Sequence, residues 1–266
     1  MGGPLSAWLL KMDGILGLAG WKWMFIVEGL PACILGLFVL KMLADKLADA
    51  KWLSPEERQA LQGAFDREGT ASSKKKNFGA TLKDVRMYIL AMISFGFTMG
   101  SYGIGIWLML KAHGMSVTQT GWVSAIPYFF ATIALLWWAK RVDRRGDHIA
   151  NLAAGLFIGA IALGISTCFQ QLVPALTGIT LALIGTIAGR TIFYTLPARF
   201  LSGQAAAGGL ALINSIGALG GFAGPYLVGY LKDSFGTFTA GMIGLAAVLV
   251  ATTLLTLSLF AFDKRK

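Results

Sequence analysis

The sequence contains few charged residues, few cysteines and few histidines. Only 14% of its 266 residues are charged, roughly half the share found in soluble domains. Its two cysteines, Cys33 and Cys168, have neither a C-x-x-C partner nor a nearby histidine. We therefore expect no disulfide framework, no metal and no cofactor.

Long apolar runs take the place of the missing charge. Hydrophobic residues make up 56% of the chain, and its mean hydropathy is +0.66. The runs are about 20 residues long, the length that an α-helix needs to cross a hydrocarbon core of roughly 30 Å. Strands of a membrane barrel would be about 10 residues long and would alternate in polarity. The predicted fold class is therefore an all-α polytopic membrane protein embedded in a lipid bilayer.

Seven complete spans are predicted, and a partial one at Gly2–Leu10 is too short to cross alone. Of the Lys and Arg residues, 18 flank one side of these spans and four flank the other, with the two sides alternating along the chain. The positive-inside rule makes the basic side, including the C-terminus, cytoplasmic. The complete spans are Trp23–Leu40, Tyr88–Leu110, Gly121–Ala139, Ile149–Phe169, Leu172–Leu196, Gly208–Leu231 and Phe238–Phe262.

The long basic segment between the first two spans suggests a domain boundary. We expect residues 1–44 to form one part, residues 45–87 a cytoplasmic linker, and residues 88–263 a bundle of six membrane helices. Within the linker, Ser54 can cap a helix, Pro55 suits its first position and Glu57 completes a capping box. A surface helix is predicted from Pro55 to about Arg67, followed by a flexible stretch at Gly69–Asn77.

Two other classes of function are disfavoured by the distribution of side chains. The net charge is +10, but the charges flank apolar spans and form no basic face interleaved with aromatics, so no nucleic-acid partner is expected. An intramembrane enzyme would need catalytic side chains clustered at membrane depth. His113 and His148 lie in predicted loops on opposite sides of the membrane, so no enzymatic activity is expected.

Several long motifs resemble the anion:cation symporter family of the major facilitator superfamily. The resemblance runs essentially from end to end of the chain. Its motifs are GWKWMFIVEGLP at residues 20–31, AKWLSPEER at 50–58, GWVSAIPY at 121–128, WAKRVDRR at 138–145, LPARFLSGQAAAGG at 196–209, ALINSIG at 211–217 and GGFAGPY at 220–226.

The resemblance implies a transporter of small organic anions such as sugar acids, tartrate or phthalate-type carboxylates. It implies proton-coupled symport, twelve helices in two halves and a bacterial inner membrane. On these motifs the chain begins inside the fifth helix, so we expect a truncated chain that lacks most of its N-terminal half. The main anion-binding Arg and the coupling residues are expected in that half. A membrane fragment that does not transport remains the alternative.

Polar residues within the spans are the candidate substrate contacts, because each is costly in lipid unless it faces protein or water. Asn214 and Ser215 lie in a glycine-rich span, and the resemblance makes the Asn a substrate contact; an interhelical hydrogen bond is the alternative. Tyr194 stands where the family usually has Trp. Tyr194 and Tyr102 could each line the cavity or pack between helices. Arg190 could attract an anion there or reach back to the interface.

Two further patterns favour structural roles. Asp143, Arg144 and Arg145 resemble the superfamily's cytoplasmic loop between the eighth and ninth helices. We interpret them as a gating or structural loop, with a positive-inside turn as the plainer alternative. Glycine pairs four residues apart predict close helix packing, and they occur at Gly155/Gly159, Gly185/Gly189, Gly217/Gly221 and Gly220/Gly224.

Overall fold

The computed structural model describes residues 2–44, 47–50, 52–71, 84–104, 114–169, 171–197 and 204–263. Within these ranges the chain is helical and contains no β-strand. The α-helices are α1 (Gly2–Leu9), α2 (Gly20–Met42), α3 (Pro55–Ala71), α4 (Val85–Gly103), α5 (Val117–Arg145), α6 (His148–Ser166), α7 (Leu172–Phe193), α8 (Gln204–Phe235), α9 (Phe238–Ser258) and α10 (Phe260–Asp263).

Six of the seven predicted spans each overlap one of these helices, and the seventh overlaps α9 and α10, which confirms the predicted fold class. Six helical segments are long and apolar enough to cross a membrane, within the described part of the chain. The remaining span corresponds to the described helix α4, which includes Arg86 near its start and several small or polar residues toward its end. The predicted outer end of that span, residues 105–110, lies outside the described residues.

The span on α5 is longer than predicted because both of its ends are defined by local hydrogen bonding. The Ser116 hydroxyl accepts from the Gln119 backbone N–H at 3.3 Å, and the Gln119 side chain accepts from the Ser116 backbone N–H at 3.0 Å. This reciprocal pair satisfies two N–H groups that a helix start leaves open. At the other end Gly146 adopts a left-handed φ of 75° and terminates the helix.

The chain divides into two compact units, Met1–Lys75 and Lys76–Lys266. In the first unit α1 contacts α2, and the Ser6 hydroxyl donates to Glu28 Oε1 at 2.6 Å. The predicted surface helix begins at Pro55 and continues to Ala71, four residues beyond the predicted end. The rest of the stretch predicted to be flexible, residues 72–77, lies outside the described residues.

The predicted capping box at the start of α3 is confirmed. The Ser54 backbone N–H donates to Glu57 Oε2 at 3.0 Å, and the Glu57 backbone N–H donates to Ser54 Oγ at 3.2 Å. Hydrogen bonding to the carboxylate, first from the Ser54 backbone N–H and then from the Ser54 side chain, holds the pKa of the Glu57 carboxyl below its ordinary value. The ionised carboxylate also suits the positive end of the helix dipole.

In the second unit six helices pack as a bundle. α4 packs against α8 and α9, α9 against α6 and α8, α6 against α7, and α7 against α5. The interior is apolar, with Phe97 and Phe193 fully buried and their ring centroids 5.1 Å apart. Buried hydroxyls bond within their own helices, as when Thr253 donates to the Leu249 carbonyl at 2.8 Å. Such bonds satisfy a buried hydroxyl without water, as a membrane interior requires, whereas the buried hydroxyls of Ser101 and Thr120 have no hydrogen-bond partner among the described residues.

Glycine allows α6 and α7 to approach until their backbones touch. A Cβ at Gly185 would collide with the carbonyl oxygen of Gly155 and lie 2.9 Å from the Gly159 nitrogen. A Cβ at Gly155 would in turn lie 3.0 Å from the Gly185 carbonyl oxygen. The predicted pairs Gly155/Gly159 and Gly185/Gly189 therefore face each other, which confirms their role in packing.

We predict that Gly185→Ala destabilises the bundle while Gly189→Ala does not. The new Cβ at position 185 meets backbone atoms that cannot move aside, which we expect to lower the free energy of unfolding by about 1–3 kcal/mol. A Cβ at position 189 lies 3.4 Å from Leu152 Cδ1, an ordinary contact. Unfolding in mixed micelles, followed by circular dichroism as dodecyl sulfate is added, measures both values. Equal effects of the two substitutions would contradict this packing argument.

Candidate functional site

A cavity of about 550 Å³ opens between α4, α7 and α8 within the second unit. Each helix contributes side chains at helical spacing, so that each presents one stripe to the cavity. Three lining residues come from α4 at intervals of four residues, one from the last turn of α7 and one from its C-cap four residues later, and four from α8. The lining residues are Ser94, Thr98, Tyr102, Arg190, Tyr194, Asn214, Gly217, Ala218 and Gly221.

The side of the cavity between α4 and α8 is shaped by glycine. A Cβ at Gly220 would collide with the Phe95 carbonyl oxygen, and one at Gly224 with the Met99 carbonyl oxygen. These glycines therefore bring the two backbones into contact. At Gly221, by contrast, a Cβ would lie 3.7 Å from Thr98 Cγ2. The two backbones thus touch along the row of Gly220 and Gly224, whereas a side chain at Gly221 would meet only ordinary van der Waals contacts.

A hydrogen bond across the cavity connects α7 to α8. The Tyr194 hydroxyl donates to Asn214 Oδ1 at 3.1 Å. Because the amide oxygen is used in this bond, the two N–H donors of Asn214 are left for another acceptor. Tyr194 is itself held by an edge contact to buried Phe193, with ring centroids 5.6 Å apart. The bond therefore fixes both the position and the orientation of the Asn214 amide.

The described lining of the cavity is rich in hydrogen-bond donors and positive in charge. Arg190 contributes a guanidinium with five N–H donors, while Ser94, Thr98 and Tyr102 contribute hydroxyls. No Asp or Glu is among the lining residues that the structure describes. Arg190 lies in the last turn of α7, where a positive charge is favoured by the helix dipole. An anion is the ligand that this combination of groups complements.

The structure brings together four of the five predicted substrate contacts. Tyr102, Arg190, Tyr194 and Asn214 line one cavity, although the prediction was made from separate segments of sequence. Ser215 does not line it, because the next residue along a helix points about 100° away. The role of the four residues in binding stays a prediction.

Ser94 and Thr98 line the cavity but were not predicted. The sequence contains a signal for them, since they are spaced four residues apart with Tyr102 four residues further on. Three polar side chains on one face of an apolar helix indicate a surface that avoids lipid. The signal is weak because single Ser and Thr residues also occur elsewhere in the membrane helices.

The predicted loop at Asp143, Arg144 and Arg145 is the last turn of α5, and only Gly146 and Asp147 separate it from α6. The prediction of a loop is wrong at these residues. The helix α5 continues through them and ends only at Gly146, which adopts a left-handed conformation. Asp143 is exposed and forms no ion pair within 4 Å among the residues that the structure describes. A gating role for this segment stays a prediction.

Comparison with known proteins shows the family. The sequence model of the Major Facilitator Superfamily matches residues 1–225. The chain belongs to this superfamily. The resemblance found in the motifs is thereby confirmed.

The relatives are transporters by name. The chain is 40% identical over 262 residues to an Agrobacterium vitis protein named for tartrate transport, an alignment that covers 97% of this chain and 60% of that protein. It is 36% identical over 269 residues to the quinolone resistance transporter of Acinetobacter baumannii, covering 99% and 62%. With the inner membrane transport protein RhmT of Escherichia coli it shares 32% identity over 265 residues, covering 97% and 61%. The chain thus spans about three fifths of the length of these relatives.

We predict that water reaches the cavity and that a thiol placed in it can be labelled. In a variant whose own cysteines are replaced by serine, Ala218→Cys should react with a charged methanethiosulfonate, because the reactive thiolate forms only where water is present. The matched control is Ile213→Cys on the same helix, since Ile213 is fully buried. Mass spectrometry of the intact protein measures the labelling. Equal labelling of the two positions would contradict an aqueous cavity.

Proposed function

We propose that this chain supplies one wall of the substrate pathway of a transporter for small organic anions. The transport is proposed to be proton-coupled symport by alternating access, in a bacterial inner membrane with the C-terminus in the cytoplasm. The observation that carries the proposal is the cavity between α4, α7 and α8, which combines Arg190 with neutral donors and has no described carboxylate in its lining. The open side of this cavity would face the other six-helix half of a superfamily fold.

The charge and donors of the cavity support an anion as the substrate. A guanidinium binds a carboxylate through two parallel N–H bonds, which gives both attraction and orientation. The amide donors of Asn214, directed by Tyr194, offer a second point of contact. Hydrogen bonds to charged groups are worth about 1.5–3 kcal/mol each. Two such contacts fix the direction in which a carboxylate lies.

The size and hydroxyl content of the cavity support a small hydroxylated acid. Its volume of about 550 Å³ lies within the usual range for small-molecule sites, roughly 300–1,000 Å³. The hydroxyls of Ser94 and Thr98 can exchange hydrogen bonds with hydroxyl groups of a ligand. A dicarboxylate such as tartrate, for which the Agrobacterium vitis relative is named, has both groups and serves as the test substrate.

The coupling proton needs a group that titrates, and the described lining of this cavity offers no carboxylate for it. Glu28 in α2 lies within the motif at residues 20–31, and its Oε1 accepts a hydrogen bond from the Ser6 hydroxyl. This bond supports a structural role for Glu28. We therefore propose that the proton is carried by residues of the preceding helices, as the resemblance implies.

A chimera tests the transport proposal directly. We replace the matching three fifths of the Agrobacterium vitis relative, which is 40% identical, with this chain. We expect cells that produce the chimera to accumulate labelled tartrate, and a protonophore to abolish the accumulation. The unmodified relative is the positive control. A chimera that reaches the membrane in normal amount but accumulates no tartrate would favour the alternative, a membrane protein without transport activity.

Substitution of Asn214 in the same chimera tests the site. Asn214→Ala removes a charge-assisted hydrogen bond, so we expect tartrate to bind about 10-fold or more weakly, the equivalent of about 1.4 kcal/mol or more. Ser215→Ala is the matched control, because it changes the adjacent residue of the same helix outside the cavity. Binding of labelled tartrate to membranes measures both. Unchanged binding by the Asn214 variant, or an equal loss in the Ser215 variant, would contradict the site.

A further inference from the structure

A second positively charged concavity, distinct from the central cavity, lies at the end of α5. It has a volume of about 280 Å³ and is lined by Trp137, Lys140, Arg141, Arg144 and Arg145. At the spacing of an ideal helix these five positions fall within an arc of about 140°. The four cations and the tryptophan therefore share one face of α5. Buried Val142 belongs to the opposite, inward side of this helix.

No acidic side chain balances this face among the described residues. Asp143 falls outside the arc and does not line the concavity. The one ion pair among the described residues joins Arg86 of α4 to Asp84, the N-cap of that helix, so none of the four cations on α5 is paired with a carboxylate among those residues. Four like charges within six residues repel one another, and a bound anion relieves that repulsion.

The position of the face along α5 places it at the level of lipid headgroups. At 1.5 Å per residue, Trp137 lies about 30 Å along the helix from Val117, which equals the thickness of the hydrocarbon core. Tryptophan is enriched at that boundary, and Trp137 is 65% exposed. The cations follow in the next two turns, at the depth of the phosphate groups.

Arg141 and Trp137 form a preorganised pair at this boundary. The Arg141 guanidinium lies 5.8 Å from the centroid of the Trp137 ring, within the range of a cation–π interaction. A guanidinium stacked in this way keeps its N–H edge free for a phosphate oxygen.

We propose that this face of α5 binds the headgroup of an anionic phospholipid, with the phosphate held by Arg141, Arg144 and their neighbouring cations. Positive-inside topology requires basic residues in this segment but not their arrangement around a concavity beside an exposed tryptophan. A lipid is favoured over free phosphate because the site adjoins the hydrocarbon boundary, where the glycerol and the first acyl carbons can contact Trp137. The site is separate from the proposed transport function.

Native mass spectrometry of the purified protein tests this site, with phosphatidylglycerol and phosphatidylcholine titrated separately. We expect phosphatidylglycerol to bind more tightly, and the double variant Arg141→Gln/Arg144→Gln to bind it on the order of 30-fold more weakly. The matched control Lys22→Gln/Lys232→Gln removes two other cations that lie over aromatic rings. We expect this control to bind phosphatidylglycerol like the unsubstituted protein.

Each remaining outcome decides against the proposal. Equal affinity for the two lipids, or equal weakening in both double variants, would show that no specific headgroup site exists. Displacement of phosphatidylglycerol by inorganic phosphate at millimolar concentration would identify a free-anion site instead. If the double variant is misfolded by circular dichroism, Arg144→Gln alone provides the test, and binding unchanged by that substitution would overturn the assignment.

Discussion

The glycine row of α8 sets the geometry on which the central cavity depends. Because Gly220 and Gly224 allow contact with the backbone of α4, the two helices cannot separate or rotate without losing close dispersion contacts. In a membrane such contacts carry much of the packing energy, since lipid supplies little hydrophobic drive between helices. The rotation of α8 then decides which of its other residues face the cavity. Asn214 and Ala218 do so for this reason.

The sequence predicted the parts of this arrangement that depend on local pattern. Apolar run length located the helices, Ser54 and Glu57 located a helix start, and the motifs indicated the family. Asn214 and Ser215 are adjacent, so only the rotation of α8 about its axis decides which of them faces the cavity. That rotation is set by packing against α4, which the local sequence does not show. Ser94 and Thr98 were missed because a hydroxyl in a membrane helix ordinarily bonds to a carbonyl of its own helix, as at Thr253.

The end of α5 shows a different limit of prediction from sequence. A dense run of Lys and Arg after an apolar span is typical of a loop, so the residues from 140 onward were interpreted as one. Nothing in their side chains prevents helix formation, since Lys and Arg have good helix propensity. The helix ends where the backbone first requires a left-handed conformation, at Gly146. The continuation of α5 beyond residue 139 matters because helical spacing is what places the four cations on one face.

Arg190 and the α5 cations show how the surroundings of a positive charge determine what it can bind. In the proposed lipid site the α5 face lies at the edge of the membrane, where water and salt screen charge within about 8–10 Å. Several cations are therefore needed at this face, and together they suit a phosphate that accepts hydrogen bonds from more than one of them. Arg190 instead lines a cavity between α4, α7 and α8, where the neutral donors of Asn214, Ser94 and Thr98 can share the binding of an anion with a single guanidinium. In the proposed transporter, a lone guanidinium with directed neutral donors would therefore attract a carboxylate and still release it, as transport requires.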